Sequence, residues 1–125
     1  MVKCLVMYVD KSGCPYTRLA REVLEDYEIP VTEVMITGNK ENKALVKEWT
    51  GFHSVPTLIV AEEDSLLPYE PPAFLAKGDS PRGLDRGSML TEPQFEQLAR
   101  WLVKHGFTDE RIFEELEELD EENPS

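Results

Sequence analysis

One stretch of the 125-residue chain carries residue types suited to nucleophilic chemistry, Lys11-Ser12-Gly13-Cys14-Pro15-Tyr16-Thr17. An apolar run precedes it and a helical pattern follows, so Cys14 falls at the start of a helix. Backbone N–H groups lack intrahelical partners there, and the positive end of the helix dipole points outward. Both features favour thiolate over thiol, and the thiolate is the nucleophile. Lys11 adds a positive charge if the loop folds back. The alternative for Cys14 is an inert cap or a small core residue. Its polar Ser-Gly setting, off any apolar stripe, favours an exposed, reactive thiol. Thr17 stands where a Cys-x-x-Cys pair would carry its second thiol. A hydroxyl cannot resolve a mixed disulfide, so a redox cycle at Cys14 needs a thiol from outside the protein. Cys4, the other cysteine, lies in the first apolar run and reads as a buried core residue. His53 and His105 are isolated and show no metal-ligand spacing with the cysteines, so no metal is expected. Trp49 reads as core, and the Ser and Asp residues form no nucleophile-elbow pattern.

The elements that must position Cys14 follow from hydropathy. Residues 2–9 form a nearly continuous apolar run, the pattern of a strand buried on both faces. From Cys14 to Tyr27 the period is helical, with Leu19, Ala20, Val23, Leu24 and Tyr27 on one stripe. Pro15 suits the first helical position. Val31–Ile36 reads as a second strand. Asn39 caps a second helix to about Thr50, with Leu45 and Trp49 inward and Gly51 at its end. Thr57–Ala61 is a third strand, introduced by Val55-Pro56. Residues 62–87 hold Pro68, Pro71, Pro72 and Pro81. A connection of this length is uncommon and often functional. Its Leu66, Leu67, Tyr69, Phe74 and Leu75 are too apolar for a pure linker, so partial packing on the body is expected. A short strand near Gly87–Leu90 completes the sheet. Thr91, with Gln94 three residues on, starts a third helix bearing Phe95, Leu98, Ala99, Leu102 and Val103. Thr108 caps a fourth, acidic helix over 108–122. The order is that of an α/β sheet with helices on both faces, in one domain spanning 1–125.

Composition narrows the classes. The net charge is −12, and residues 109–122 hold nine acids and one base. Nucleic-acid binding is not expected, because phosphate contacts need clustered Lys and Arg. The acidic tail reads as a solvated helix face, with a basic partner as the alternative. No apolar run is long enough to span a membrane. The N-terminal residues lack a signal-peptide pattern, so a cytoplasmic protein is expected. Two cysteines do not make a disulfide scaffold.

The segment Lys11 to Thr17 resembles the glutaredoxin active site, Lys-x-x-Cys-Pro-Tyr-Cys. Trp49-Thr50-Gly51-Phe52-His53-Ser54-Val55-Pro56-Thr57 is similar to the glutaredoxin stretch Thr-Gly-x-x-Thr-Val-Pro. The spacing between the two, filled by β-α-β-α, is also that of the family, and residues 2–61 carry the likeness. It fades over 62–87 and returns loosely at Gly87-Ser88 and the helix beyond. The resemblance implies a thioredoxin-like, glutaredoxin-type three-layer sandwich: a four-stranded mixed sheet flanked by helices, with a Pro-rich insertion and an extra acidic helix. It implies that Val55–Pro56 is cis and that the Val55 backbone pairs with the main chain of glutathione beside Cys14. By position, Lys11 faces the glycine carboxylate of glutathione and Tyr16 lines the groove. Backbone near Ser88 or Thr91 receives the γ-glutamyl carboxylate. Three departures stand out. Thr17 replaces the second cysteine, His53 replaces an Arg or other polar anchor, and Arg86-Gly87-Ser88-Met89-Leu90-Thr91 replaces a Gly-Gly-x-Asp-like turn.

The implied function is a monothiol oxidoreductase that reduces glutathione mixed disulfides through a Cys14–glutathione intermediate. Glutathione is the co-substrate, glutathionylated or disulfide-containing proteins are the partners, and a monomer is expected. Two alternatives belong to other classes. One is an iron–sulfur cluster or glutathione-binding protein, against which Pro15 and Tyr16 replace the Gly and Phe of Cys-Gly-Phe-Ser relatives. The other is a non-catalytic thioredoxin-fold binding module. A glutathione transferase is also similar through Cys-Pro-Tyr and Val-Pro, but those enzymes add a large helical domain and none is expected in a chain of this length.

Overall fold

A computed structural model describes residues 2–114. Four strands form one mixed sheet in the order β2-β1-β3-β4. Strand β1 (Lys3–Val9) pairs in parallel with β2 (Thr32–Met35) and antiparallel with β3 (Thr57–Glu62), and β3 pairs antiparallel with β4 (Met89–Thr91). Helix α1 (Pro15–Asp26) connects β1 to β2, α2 (Lys40–Thr50) connects β2 to β3, and α3 (Phe95–Lys104) follows β4. The thioredoxin-like arrangement is therefore present: a four-stranded mixed sheet between helical layers.

The alternation of β1 decides the layers. Leu5, Met7 and Val9 point to one face and pack with Ala20, Val23 and Leu24 of α1 and Leu98, Trp101 and Leu102 of α3. Val6 and Tyr8 point to the other and pack with Val46 of α2. Residues 5–9 are all buried, as a strand covered on both faces requires. Each such side chain contributes roughly 1.5–3 kcal/mol by leaving water.

Several expectations are corrected. Thr91 does not start α3 but lies in β4, and the cap is Gln94, in a reciprocal capping box with Gln97. On α2 the deepest residues are Val46 and Thr50, while Leu45 and Trp49 pack at the rim of that cluster. Trp101, absent from the expected stripe, is fully buried because its indole N–H donates to the Gly87 carbonyl at 2.9 Å. Cys4 is half-buried rather than interior. Of the expected fourth helix, only 112–114 are helical among the described residues, with Ile112 buried in the core, and 115–122 lie outside them.

The 62–87 segment is tied to the sheet along its length. Pro68 bridges Ala61, the Tyr69 N–H donates to the Val60 carbonyl at 2.9 Å, and Arg82 bridges Thr91 on the outer side of β4. The Arg86 guanidinium is buried and bonds the carbonyls of Ala73 and Trp49, joining the segment to the end of α2. Burial pushes its pKa down. At the far end the Gly87 carbonyl also accepts from His105 Nε2 at 2.7 Å. Burial pushes the His105 pKa below the usual histidine value. The unfolded chain then binds a proton that the folded one excludes, so His105 removes stability as pH falls through about 6.5. His105→Gln, which keeps a donor for Gly87, is expected to flatten the fall of the melting temperature between about pH 7 and pH 5.5. Thermal melts of both proteins across that range check this.

Candidate active site

The antiparallel pairing of β1 with β3 brings the end of β1 beside the start of β3. The loop after β1 is held by Asp10, whose carboxylate accepts from the Ser12 backbone N–H at 2.9 Å and from the Ser12 hydroxyl. Gly13 follows at φ +70°, a left-handed turn that suits glycine. Cys14 is then the N-cap of α1, with Pro15 in its first turn. Its thiol Sγ lies 3.6 Å from the carbonyl of Val55 and donates to it. Cys14 is half-buried rather than fully exposed as the sequence suggests.

The Val55–Pro56 peptide bond is cis. Val55 and Pro56 are buried, and the Pro56 carbonyl accepts from the Glu92 backbone N–H at 2.8 Å. Glu92 Oε2 pairs with Arg82 Nε at 2.8 Å, and the Arg82 guanidinium lies 5.5 Å from the ring centre of Tyr16. Tyr16 is two residues from Cys14. The contacts thus close a ring: Cys14, Val55, Pro56, Glu92, Arg82, Tyr16.

Four of the expected residues are in this ring or on its rim. Cys14, Tyr16, Val55 and Pro56 are together. Lys11 is exposed in the adjoining loop, and its backbone N–H donates to Thr37 Oγ1 at 3.1 Å. The other two expected residues, Ser88 and Thr91, are both buried. Ser88 is fully buried opposite the middle of β3: its carbonyl accepts from Val60 and its hydroxyl donates to Glu70. The register places it three residues from Thr91, away from the thiol. Thr91 is close to the ring but internally committed. Thr57 gives its one hydroxyl proton to the Ser54 carbonyl, so the Thr91 hydroxyl donates to Thr57 Oγ1 at 3.0 Å. The Thr91 carbonyl accepts from Gly83 at 2.7 Å. Arg82 and Glu92, which the sequence did not single out, lie beside Tyr16 and Pro56. Neither has a sequence signal that would single it out, because Arg82 reaches the site only through the path of the insertion. His53 is exposed. No cluster of metal-binding side chains exists among the described residues, and no described helix is long and apolar enough to cross a membrane.

Residues 6–64 match the glutaredoxin family model. Members of that family are thiol–disulfide oxidoreductases that draw reducing power from glutathione. No curated protein matches the chain. The matched span contains Cys14, Tyr16, Val55 and Pro56 and stops before Arg82 and Glu92.

Gly83 sets the path that delivers Arg82. It has φ +70°, and a Cβ there would sit 2.5 Å from Gln97 Oε1, the atom that accepts from the Gln94 N–H. Gly83→Ala is expected to destabilise the fold by about 1–2 kcal/mol through the left-handed backbone. It also displaces the Gln97 cap. Urea unfolding of the variant measures the loss.

Proposed function

We propose that the protein is a glutathione-dependent monothiol oxidoreductase whose reacting group is Cys14. The observation that carries this reading is the half-buried sulfur at the start of α1, within reach of the Val55 carbonyl. The Cys14 thiolate attacks the glutathione sulfur of a mixed disulfide. A Cys14–glutathione disulfide forms, the original S–S bond breaks, and the substrate sulfur leaves as a thiolate that takes a proton from water. A second glutathione, as thiolate, attacks the glutathione sulfur of that intermediate. Oxidised glutathione departs and the Cys14 thiolate returns. Thr17 cannot shorten this cycle, because it has no thiol.

The ring around Cys14 supports an assignment of the binding groups. The Val55–Pro56 backbone pairs with the main chain of glutathione, and Tyr16 forms a wall. Lys11 faces the glycine carboxylate. The far end of glutathione is a zwitterion, an α-ammonium beside an α-carboxylate. Glu92 and Arg82 offer the complementary pair of charges, in the place the sequence assigned to Ser88 and Thr91. The partners are glutathionylated proteins, and a reducing compartment such as the cytoplasm fits a thiol that must stay free.

Two outcomes are expected. Incubation with oxidised glutathione adds one glutathione at Cys14, read by intact mass and peptide mapping. An adduct confined to Cys4, or none, overturns the proposal. Arg82→Ala raises KM for a glutathionylated peptide about tenfold, the value of one charge-assisted hydrogen bond, with kcat unchanged. The same peptide carrying cysteinylglycine, which lacks the γ-glutamyl zwitterion, shows no such rise.

A further inference from the structure

A second cleft, of about 740 Å³, opens between the end of α2 and residues 72–79 of the insertion. Sites for small molecules commonly have volumes of roughly 300–1,000 Å³. None of the residues lining this cleft belongs to the ring around Cys14. One of them is Arg86, the only charged residue buried among the described residues, at 6% exposed. Its Nε donates to the Ala73 carbonyl at 2.9 Å, and its Nη1 to the Trp49 carbonyl and, at 3.5 Å, to the Met89 sulfur. The third nitrogen, Nη2, donates to no atom of the described residues. No carboxylate among them pairs with the guanidinium either. The carbonyls solvate the charge without neutralising it. Buried charges are ordinarily paired, because leaving water is costly.

The walls above Arg86 are apolar. Trp49, Pro72 and Leu75 are half-buried there, and the Trp49 ring is set edge-on to Tyr8 at 5.1 Å between centres. Phe52 and Phe74 also line the cleft and are 52% and 89% exposed. A phenylalanine as open as Phe74 gains little from the fold and offers its apolar area to whatever covers it. A buried cation beneath exposed aromatic surface is the complement of an amphipathic anion. The remaining charged groups of the lining are Glu48, Lys77 and Asp79, all exposed. The two acids oppose a dianion such as a phosphate monoester. A single carboxylate matches the single guanidinium, through a charge-assisted bond from Nη2.

We propose that this cleft binds an apolar monocarboxylate, its carboxylate on Arg86 and its body over Trp49, Phe52 and Phe74. The site is separate from Cys14 and does not depend on the reaction proposed there. The insertion supplies Pro72, Phe74, Leu75 and Arg86, and α2 and the turn after it supply Trp49 and Phe52. Arg86 thereby has two uses: Nε and Nη1 fasten the insertion to α2, and Nη2 meets the ligand. The body is an alkyl chain or an aromatic ring system, and the two are separated by probe.

The test is titration of the full-length protein with 2-naphthoate and with decanoate, followed by calorimetry and by the indole N–H signal of Trp49 in ¹⁵N-labelled protein. Saturable binding of either acid is expected, and the tighter of the two identifies the body. 2-Naphthylmethanol, of similar size without the charge, is expected to bind about tenfold more weakly than 2-naphthoate. Arg86→Met is expected to lose the preference for the acid. Because that variant also cuts the ties to Ala73 and Trp49, Phe74→Glu is the second variant. It changes an exposed side chain, leaves the melting temperature near the parent's, and weakens the acid about tenfold or more. Arg82→Ala, altered in the ring around Cys14, binds the acid as the parent does. The proposal is overturned by no saturable binding below about 10 mM, by equal affinity for acid and alcohol, by parental affinity in Phe74→Glu, or by loss of the acid in Arg82→Ala, which would place it beside Cys14.

Discussion

The antiparallel register of β1 on β3 places the chemistry. Tyr8 stands opposite Thr57, so the loop leaving β1 and the loop entering β3 emerge side by side. Cys14 comes from the first and Val55 from the second. A slip of one residue would turn every β1 side chain to the opposite face, sending Leu5, Met7 and Val9 away from α1 and α3. The register is therefore held by the burial of five successive residues on two faces. The 3.6 Å approach of sulfur to carbonyl is a consequence of core packing.

The legible parts of the sequence were those where a local pattern and the tertiary environment ask for the same residue. The apolar run of β1, the stripe on α1, the Asn39 cap, which accepts from Asn42, and the left-handed Gly51 were all readable for that reason. Cys14 and Val55-Pro56 were readable because each sits beside a strong element boundary. The start of α3 was not. Thr91-Glu92-Pro93-Gln94 satisfies the usual cap pattern and Gln94-Phe95-Glu96-Gln97 does not, yet pairing with β3 draws Thr91 into the sheet and leaves Gln94 as the cap. Trp101 was missed because a helix whose polar ring atom finds a buried acceptor can bury a wider face than the apolar stripe indicates. The hydroxyl bonds of Ser88 and Thr91 are not legible in sequence because their partners, Glu70 and Thr57, are distant along the chain.

The insertion was the least legible segment because its structure is made of non-local bonds. Its order comes from Val60, Arg86, Gly87 and Thr91, residues 13 to 37 positions from their partners in several cases. It serves two physical ends. An edge strand with unpaired backbone groups invites association, and the Arg82–Thr91 bridge and the Gly83 N–H occupy the outer side of β4. The same contacts carry Arg82 across to Tyr16.

The energetics of the Arg82–Glu92 pair separate these two ends. Arg82 is 61% exposed and Glu92 13% exposed, and an ion pair this open to water contributes at most about 1 kcal/mol. Glu92 meanwhile holds φ +45°, a left-handed conformation in a residue that is not glycine, at a cost of roughly 1–3 kcal/mol. The pair alone does not offset that strain. What the strained backbone does achieve is to aim the Glu92 N–H at the Pro56 carbonyl while its carboxylate meets Arg82. Edge protection would be complete without it, since Gly83 already bonds Thr91. The strain is therefore tied to the contacts with Pro56 and Arg82 beside Cys14 and not to covering the sheet.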